Sequence, residues 1–533
     1  MLRSTRRTFV HGSMATAGAL WLPKRLRAQG AGGGTLRTVM HGDLRAFDPI
    51  WTTANITAYH GAMIYDTLFA LDESMTPQPQ MVSQWEVSDD RLTYTFELRD
   101  GLGFSDGSPV TSRDVVASIK RWAARDGAGQ HMMQRVKEIR AENEKTFVIE
   151  LEEPYGLVID VMAKTSTPLL YIMREAEAET DPMEQVTEFI GSGPFTFNRD
   201  ETRQGAQYVY DRRDDYVPRD EPASGLAGGK IVKMDRVIFE NIEDSQTAMA
   251  ALQAGEIDFY ETPPLDLISV LEMDPDITVE VLNQTGNVGW MRLNFLHPPF
   301  DNVKARQAML HLIDQEEFMQ ATFGNPEYYN KCASNFACGT PMENDANTEW
   351  FERAPDPERA RELFAEAGYD GQPITILHAT NIDFMNNAAQ IVAQRLREIG
   401  INAELATSDW GGVVTRRAVM EAPADGGWNI FITWAGGASV GNPIALAGHA
   451  ANGRDGWFGW PEDELHEQLR DEWAMAEGQE GQLEVARKIQ ENAWEFVPHV
   501  WLGQWVAPVA YRNDIQGVLK IPEIVPFWNI ERV

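Results

Sequence analysis

Polar and apolar residues alternate over residues 93–98 (TYTFEL), as they do in a β-strand with one buried face. Glycine, aspartate and proline residues then mark a series of turns over 100–109. Thr111 is followed three residues later by Asp114, which is the spacing of a capping box at a helix N-terminus. Apolar residues then recur at helical spacing over 115–122. The pattern predicts a half-buried strand, a turn-rich corner and a capped amphipathic helix.

Short apolar segments and one long amphipathic segment alternate over 373–436. Residues 373–378 predict a strand, 384–399 a helix and 400–405 a second strand. Such a βαβ unit has parallel strands and a right-handed crossover. A third strand is predicted over 429–434. Because open α/β sheets bind ligands beyond the carboxyl ends of their strands, the loops that follow these strands are the predicted ligand-contact region.

Aromatic and polar residues near these strands supply the candidate ligand contacts. Three tryptophans offer flat apolar walls for a ligand, although each is also compatible with core packing: Trp290, Trp410 and Trp434. Three side chains are candidate polar contacts, and one glycine lies in the turn after the third strand: Asn381, Ser408, Asn442 and Gly436.

The N-terminus has the pattern of an export signal. Residues 4–10 (STRRTFV) are close to the twin-arginine pattern, an apolar stretch covers 15–22, and Ala28 offers a cleavage site. This stretch is too short to span a bilayer, and no other run reaches the roughly 18 apolar residues of a membrane helix. No cysteine lies near the cleavage site to accept a lipid. We expect a twin-arginine signal over 1–28 and a periplasmic protein without a membrane anchor.

Composition describes an acidic globular protein. A chain of 533 residues normally folds as two or more lobes rather than around one core. The 80 acidic residues outnumber the 46 basic ones, which gives a formal net charge of −34. Such a surface repels nucleic acid and anionic lipid, so neither is an expected partner.

Cys332 and Cys338 are the only cysteines in the sequence. In an exported protein they favour a disulfide that closes a small loop. A metal site would need two further ligands, and no nearby histidine or cysteine supplies them, so we expect no metal.

Catalytic motifs are absent from the sequence, which contains no GxSxG, HExxH, P-loop or CxxC pattern. The serine in GSG at 191–193 is followed by Pro194 and Phe195, which fits a turn rather than a nucleophile elbow. We therefore expect neither enzymatic activity nor a cofactor.

The segment 65–122 resembles the N-terminal block of the family 5 solute-binding proteins that serve peptide-type ABC importers. The resemblance rests on three features in the same order: the segment that leads to Trp85, the strand pair that ends in LTYTFELRDGLGFSDGSPVT, and the helix DVVASIKR. Further phrases similar to the family are GSGPF at 191–195, ALQAGEID at 251–258 and ARELFAEAGY at 360–369.

The resemblance implies an α/β, two-lobed periplasmic binding protein fold with an extra N-terminal subdomain and a ligand cleft between the lobes. The implied bounds are 36–284 with 506–533 for lobe I, about 80–195 for the small subdomain within it, and 285–505 for lobe II. Residues 290–295 and 505–512 would cross between the lobes. The implied function is that of a monomer that captures a peptide or other small solute and delivers it to inner-membrane permease and ATPase subunits.

The sequence departs from the family where dipeptide-binding members hold the charged ends of their ligand. The resemblance places an Asp at position 437 and an Arg at position 379, but this chain has Gly437 and Ala379. Neither 378–382 nor 435–442 contains a charged residue. A zwitterion in such a site would leave its charges buried without partners, at a cost of several kcal/mol. We therefore expect that a free dipeptide is not the ligand.

Two other functions remain open from the sequence. An exported hydrolase whose active site the sequence does not reveal would be recognised by activity on esters or peptides. A peptide-binding sensory or chaperone-like protein with the same fold would lack neighbouring genes for permeases and ATPases.

Overall fold

Two large β-sheets organise the molecule, and each lies beside its own hydrophobic core. The computed structural model describes residues 33–353, 355–476 and 478–533, so the predicted signal over 1–28 lies outside the described residues. We use lobe I for the part built on the first large sheet and lobe II for the part built on the second.

The sheet of lobe I has seven strands. In spatial order they are Ile277–Val281, Pro508–Arg512, Phe259–Tyr260, Thr35–Val39, Arg236–Glu240, Gln207–Arg212 and Phe195–Arg203. Thr35–Val39 pairs in parallel with the neighbour on each side, and the remaining pairs are antiparallel. The strand Pro508–Arg512 comes from the end of the chain, so lobe I is completed only after lobe II has been traversed.

A four-stranded antiparallel sheet forms a smaller unit inserted within lobe I. Its order is Val82–Val87, Thr93–Leu98, Thr146–Leu151 and Val136–Ala141. Alternate residues of Thr93–Leu98 are buried, as the sequence predicts. The helix Ser112–Ala123 follows, and the backbone N–H of Thr111 donates to the Asp114 carboxylate at 2.7 Å. The predicted capping box is confirmed.

The sheet of lobe II has six strands. Their order is Tyr329–Asn330, His499–Trp505, Asn287–Leu293, Ile430–Gly436, Ile374–Ala379 and Ala403–Ser408. The last three are mutually parallel, which confirms the predicted βαβ arrangement. The strand after the helix begins at Ala403 rather than residue 400, because Gly400 has a φ of 85° and turns the chain after the helix.

Helices cover the sheets. In the part of the chain before lobe II they are Asn55–Ile64, Ser112–Ala123, Gly127–Met133, Val158–Ala163, Glu175–Ala178, Ser245–Ala254 and Ile268–Glu272. In lobe II they are Val303–Leu310, Gln315–Phe323, Glu349–Arg353, Pro357–Glu366, Asp383–Glu398, Trp410–Arg416, Gly437–Val440, Glu464–Met475 and Gly478–Phe496. Two small antiparallel pairs, Phe69–Leu71 with Pro77–Pro79 and Ile515–Gln516 with Glu531–Arg532, complete the regular structure.

The prediction that residues 290–295 cross between the lobes is wrong. The strand Asn287–Leu293 lies inside the sheet of lobe II, between His499–Trp505 and Ile430–Gly436. All of its residues after Asn287 are buried, which suits a central strand and not an exposed connection. The chain passes between the two sheets at 282–286 and returns at 506–507.

The lobes are in contact in this structure. The Asp471 carboxylate of lobe II accepts a hydrogen bond from the His131 ring at 2.6 Å and another from Arg135 at 2.9 Å. The Asp409 carboxylate accepts one from Arg45 at 3.0 Å. These pairs join residues that are hundreds of positions apart in the sequence, and the Arg45–Asp409 pair places the loop after Ala403–Ser408 against lobe I.

The predicted disulfide between Cys332 and Cys338 is present, with Cα atoms 5.8 Å apart. Within the described part of the chain, no helix is both long and apolar enough to cross a bilayer.

Candidate ligand-binding cleft

The carboxyl ends of three parallel strands bring several predicted residues together at one edge of lobe II. The strand Ile374–Ala379 lies between Ile430–Gly436 and Ala403–Ser408. Asn381 follows the central strand, and its side-chain oxygen accepts a hydrogen bond from the backbone N–H of Trp410 at 2.8 Å. The backbone N–H of Thr380 donates to the Ser408 carbonyl at 3.0 Å. The loops after two neighbouring strands are therefore tied to each other.

Trp410 and Trp434 form an aromatic surface at this edge. Their rings stack with centroids 6.5 Å apart and an angle of 24° between the planes, and both side chains are half-buried. Trp434 also meets Trp505 edge to face at 6.5 Å. A partly exposed pair of stacked rings supplies the flat apolar wall that the sequence suggests for these two tryptophans.

Trp290 lies elsewhere, inside the core of lobe II. Its side chain is 1% exposed and its ring stacks on Trp457 with centroids 5.2 Å apart. A Cβ atom on Gly448 would lie 2.0 Å from the ring, so no space remains beside it. Trp290 belongs to the central strand Asn287–Leu293 and packs in the core, so the structure corrects its assignment as a ligand contact.

Two polar candidates have partners within their own loops. The Ser408 hydroxyl donates to the Asp409 carbonyl at 2.9 Å. The Asn442 side-chain oxygen accepts from the backbone N–H groups of Ile444 and Ala445, at 2.9 and 3.0 Å. These contacts fix the loop conformations, and the amide nitrogen of Asn442 is the donor left for other partners.

The turn at Gly436 and Gly437 receives a carboxylate from the C-terminal segment of lobe I. Glu523 accepts hydrogen bonds from the N–H and hydroxyl of Ser439, at 2.8 and 2.7 Å, and from the Thr165 hydroxyl at 3.0 Å. A Cβ atom at position 436 would lie 2.2 Å from a Glu523 oxygen, and one at position 437 would lie 2.2 Å from the Thr285 carbonyl oxygen. Close approach of a backbone atom therefore requires glycine at 437, whereas at 436 the neighbour is a side chain held by these three hydrogen bonds.

Sequence reasoning missed Glu523. It lies 84 residues from Ser439, in the segment IPEIVPF, whose pattern carries no sign of a binding residue. A φ of 73°, unusual for a residue with a side chain, became visible only in the structure.

Asp409 both caps a helix and contacts lobe I. Its carboxylate accepts from the backbone N–H of Gly412 at 2.8 Å, at the start of the helix Trp410–Arg416, and from the Arg45 guanidinium at 3.0 Å. The hydrogen bond from Gly412 and the contact with Arg45 lower the pKa of this carboxyl group. Trp410, one of the two rings of the aromatic surface, therefore begins a helix whose capping residue is bonded to lobe I.

Arg417 follows the same helix and was also missed. Its side chain is 4% exposed, and the guanidinium carbon lies 4.7 Å from the centroid of Phe458 and 5.4 Å from that of Trp410. Across the lobe boundary, Nη2 lies 3.4 Å from the Thr53 hydroxyl. Burial lowers its pKa to about 10, so the group remains cationic at neutral pH.

Among the residues that the structure describes, no group of three or more histidine, cysteine, aspartate or glutamate side chains is arranged to hold a metal ion. One surface pocket is lined by residues such as Pro298, Arg306 and Tyr369, and includes none of the predicted site residues. The region at the strand ends, where Asn381, Trp410 and Trp434 meet, is the candidate site.

Comparison with known proteins places this fold. The family model described as "Bacterial extracellular solute-binding proteins, family 5 Middle" matches residues 76–456. A Sinorhizobium fredii protein named as a probable peptide ABC transporter periplasmic-binding protein is 46% identical over 533 residues, covering 99% of each chain. The glutathione-binding protein of Escherichia coli K12 is 26% identical over 373 residues, covering 68% of this chain and 67% of its own.

Solved structures share the two-lobed architecture. The periplasmic binding protein AgaA of A. tumefaciens, in complex with agropinic acid, superposes with a TM-score of 0.79 at 21% identity and covers 94% of this chain and 99% of its own. The Bacillus subtilis oligopeptide-binding protein AppA, in complex with a nonapeptide, gives a TM-score of 0.77 at 17% identity, with coverages of 95% and 100%. The fold is that of the two-lobed periplasmic binding proteins. With the family match spanning most of the sequence, the chain belongs to the family 5 extracellular solute-binding proteins.

Proposed function

We propose that this protein is the periplasmic solute-binding component of an ABC importer and that it captures a peptide or another small solute between its lobes. The observation that carries the proposal is the stacked pair Trp410 and Trp434 at the carboxyl ends of the lobe II strands, beside Asp409, which bonds to Arg45 of lobe I. The peptide-transporter name of the relative at 46% identity supports the same function.

Capture requires no chemical reaction. A ligand that contacts both lobes stabilises the arrangement in which they touch by its higher affinity for that arrangement. The closed protein then presents both lobes to a permease, and ATP hydrolysis in other subunits drives release. We propose that the protein acts as a monomer in this cycle, without a cofactor.

We assign the ligand contacts to the carboxyl ends of the three parallel strands in the lobe II sheet. Trp410 and Trp434 provide apolar walls, and polar groups in the adjoining loops orient the ligand: Asn381, Ser408, Gly436 and Asn442. Trp290 is left out because it is enclosed in the core. We propose domain bounds of 36–284 with 506–533 for lobe I, including a subdomain at about 80–195, and 285–505 for lobe II.

We also propose that a free dipeptide is not the ligand. Position 379 carries alanine and position 437 carries a glycine that has no room for a side chain. The nearby Glu523 carboxylate is already occupied by three donors. Calorimetric titration with a panel of unmodified dipeptides is expected to show no binding, and micromolar affinity for any of them would contradict the proposal.

Export by the twin-arginine pathway is the proposed route to the periplasm, because Arg6 and Arg7 precede an apolar stretch and a small-residue cleavage site near Ala28. Replacing both arginines with lysine is expected to leave the precursor in the cytoplasm, as fractionation would show. Export of that variant at the normal rate would contradict this route.

The function is tested by native mass spectrometry of the protein purified without refolding, which is expected to find a bound small molecule. In calorimetric titrations with that molecule, Trp410→Ala is expected to weaken binding by roughly 10-fold or more, because a large aromatic contact is lost. Trp85→Ala is the matched control, since Trp85 is 38% exposed in the small subdomain. An equal loss of affinity in both variants would show that Trp410 does not contact the ligand. A protein that binds no solute would contradict the proposed function.

A further inference from the structure

Arg417 differs from the other buried arginines that the structure describes. Within the described part of the chain, its side chain has a polar contact with a single hydroxyl group, and not with a carboxylate or backbone carbonyl oxygens. Seven arginines are less than one-tenth exposed: Arg121, Arg135, Arg213, Arg292, Arg306, Arg417 and Arg470. Four of them pair with carboxylates. Arg292 and Arg306 each donate to at least two backbone carbonyl oxygens. Arg417 differs from all six, because its contact is the 3.4 Å approach of Nη2 to the Thr53 hydroxyl.

The remaining surroundings of Arg417 do not neutralise its charge. Its Nε is buried without a hydrogen-bond partner, and burial is the cause that shifts its pKa, with no described carboxylate contributing. Aromatic rings surround the guanidinium at centroid distances of 4.7 to 5.9 Å. Such rings attract a cation, but each carries no net charge. A buried cation without an anion is costly, so a carboxylate that reached this guanidinium would be strongly attracted to it.

The side chain is held in place by the chain around it. The backbone N–H of Arg417 donates to the Val413 carbonyl at 2.8 Å at the end of the helix, and its carbonyl accepts from the Trp428 indole at 3.1 Å. The guanidinium itself lies between four aromatic rings and beside the Thr53 hydroxyl, which restrict its movement before any ligand arrives, so a bound anion need order less of the side chain.

Arg417 also lies at the boundary that a ligand would occupy. Thr53 belongs to lobe I, in the segment before the helix Asn55–Ile64, whereas Arg417 and its aromatic neighbours belong to lobe II. One of these neighbours is Trp410, which stacks on Trp434. The cation and the aromatic surface of the proposed cleft are therefore adjacent.

We propose that Arg417 binds a carboxylate of the transported solute, while an apolar part of the solute packs on Trp410 and Trp434. A guanidinium fork donates two parallel hydrogen bonds to the two oxygens of a carboxylate, and in a dry site these bonds are strong. This anion site differs from positions 379 and 437, where the family resemblance places the charged contacts. The inference rests on the proposed function and specifies the chemical class of its ligand.

The carboxylate could come from a peptide C-terminus or from another organic acid, and two sets of probes separate these sources. The first set contains N-acetylated peptides of two to five residues with aromatic or aliphatic side chains, each as the free acid and as the C-terminal amide. The second set contains 3-phenylpropanoate and 3-phenylpropanamide. Affinities are measured by calorimetry with the full-length mature protein, and melting temperatures are recorded at millimolar probe.

The wild-type protein is expected to bind at least one acid roughly 10- to 100-fold more tightly than its amide, as the loss of a charge-assisted hydrogen bond predicts. Arg417→Gln is expected to bind acid and amide equally. Arg417→Lys, which keeps the charge but not the fork, is expected to retain part of the preference. Arg416→Gln is the matched control: this neighbour on the same helix donates to the carbonyls of Gly426 and Gly427, and its loss should leave the ratio unchanged.

Equal affinity for acid and amide in the wild type, an undiminished preference in Arg417→Gln, or failure of every acid to bind would overturn the inference. The ratio is unaffected by a general loss of stability, so a merely structural role for Arg417 would not imitate the expected result. A bound solute that proves to be uncharged would overturn this inference and leave the transport function standing. Absence of any bound solute would instead contradict the transport function.

Discussion

Gly437 shows how a single residue excludes a side chain that the family resemblance leads one to expect. Dipeptide-binding relatives are expected to carry an aspartate here, but a Cβ atom would lie 2.2 Å from the Thr285 carbonyl oxygen. That oxygen belongs to the segment 282–286, in which the chain passes between the lobes, so it cannot move aside as a flexible side chain would. Glu523 reaches the same turn from another part of the chain and bonds to Ser439.

Gly437→Ala is therefore expected to destabilise the protein by about 1–3 kcal/mol, because the added methyl group overlaps a backbone atom. Urea unfolding followed by circular dichroism measures the change. Gly156→Ala is the control, since a Cβ atom at position 156 meets nothing within 4 Å, and its effect is expected to stay within about 0.5 kcal/mol. A Gly437→Ala variant as stable as the control would show that the turn can shift, and an acidic residue at 437 would then be possible.

For strands and helices, the local hydrophobic pattern predicts where an element lies along the chain, but not which sheet it joins. The strand Thr93–Leu98 and the capped helix Ser112–Ala123 follow the hydrophobic period closely. The strand Asn287–Leu293 was misplaced, because an apolar run looks the same at a lobe crossing as in the centre of a sheet. The strands on both sides of it come from distant parts of the chain, and only their pairing shows that it is a central strand rather than a connection between the lobes.

The loop closed by Cys332 and Cys338 is an element that the sequence predicts well. Glutamine side chains also hold it: Gln315 accepts from the N–H of Cys332 at 2.7 Å, and Gln504 accepts from that of Cys338 at 2.9 Å. Replacing both cysteines with serine is expected to lower the free energy of unfolding by about 2 kcal/mol, the chain-entropy value for a loop this short.

Denaturation with and without reductant measures that loss. The serine variant should be insensitive to reductant, whereas the wild type should fall to its level. If the wild type and the variant unfold at the same urea concentration under oxidising conditions, the disulfide makes no contribution to stability.

For the whole molecule, buried histidines make stability depend on pH. Burial lowers the pKa of His60 to about 3 and that of His449 to about 4, and it also lowers those of His466 and His499. In the unfolded chain a histidine titrates near 6.5. Below that pH the unfolded state binds protons that the folded state does not, so stability falls as the pH decreases toward the folded values.

Between pH 7.5 and pH 5 we therefore expect His60 and His449 each to lower the free energy of unfolding by roughly 2 kcal/mol, and His466 and His499 to act in the same direction. His41 acts in the opposite direction and offsets part of the loss: although burial lowers its pKa, the Glu261 carboxylate raises it overall. Its contribution is present at low pH and disappears as the pH rises through its folded value. Urea titrations across this range provide the measurement, and a protein equally or more stable at pH 5 would contradict the expectation.

The sequence by itself determined the family, the main strands and helices and the disulfide, because each depends on local period, spacing or motif. The tertiary structure decided which tryptophan is enclosed, which carboxylate reaches Gly436 and which of the described buried arginines bonds to a hydroxyl group rather than to carboxylate or carbonyl oxygens. Those features depend on neighbours that are far away in the chain, since Thr53 and Arg417 are separated by 364 residues and Ser439 and Glu523 by 84. Burial and charge pairing arise only when such segments meet, and no local pattern records where they do.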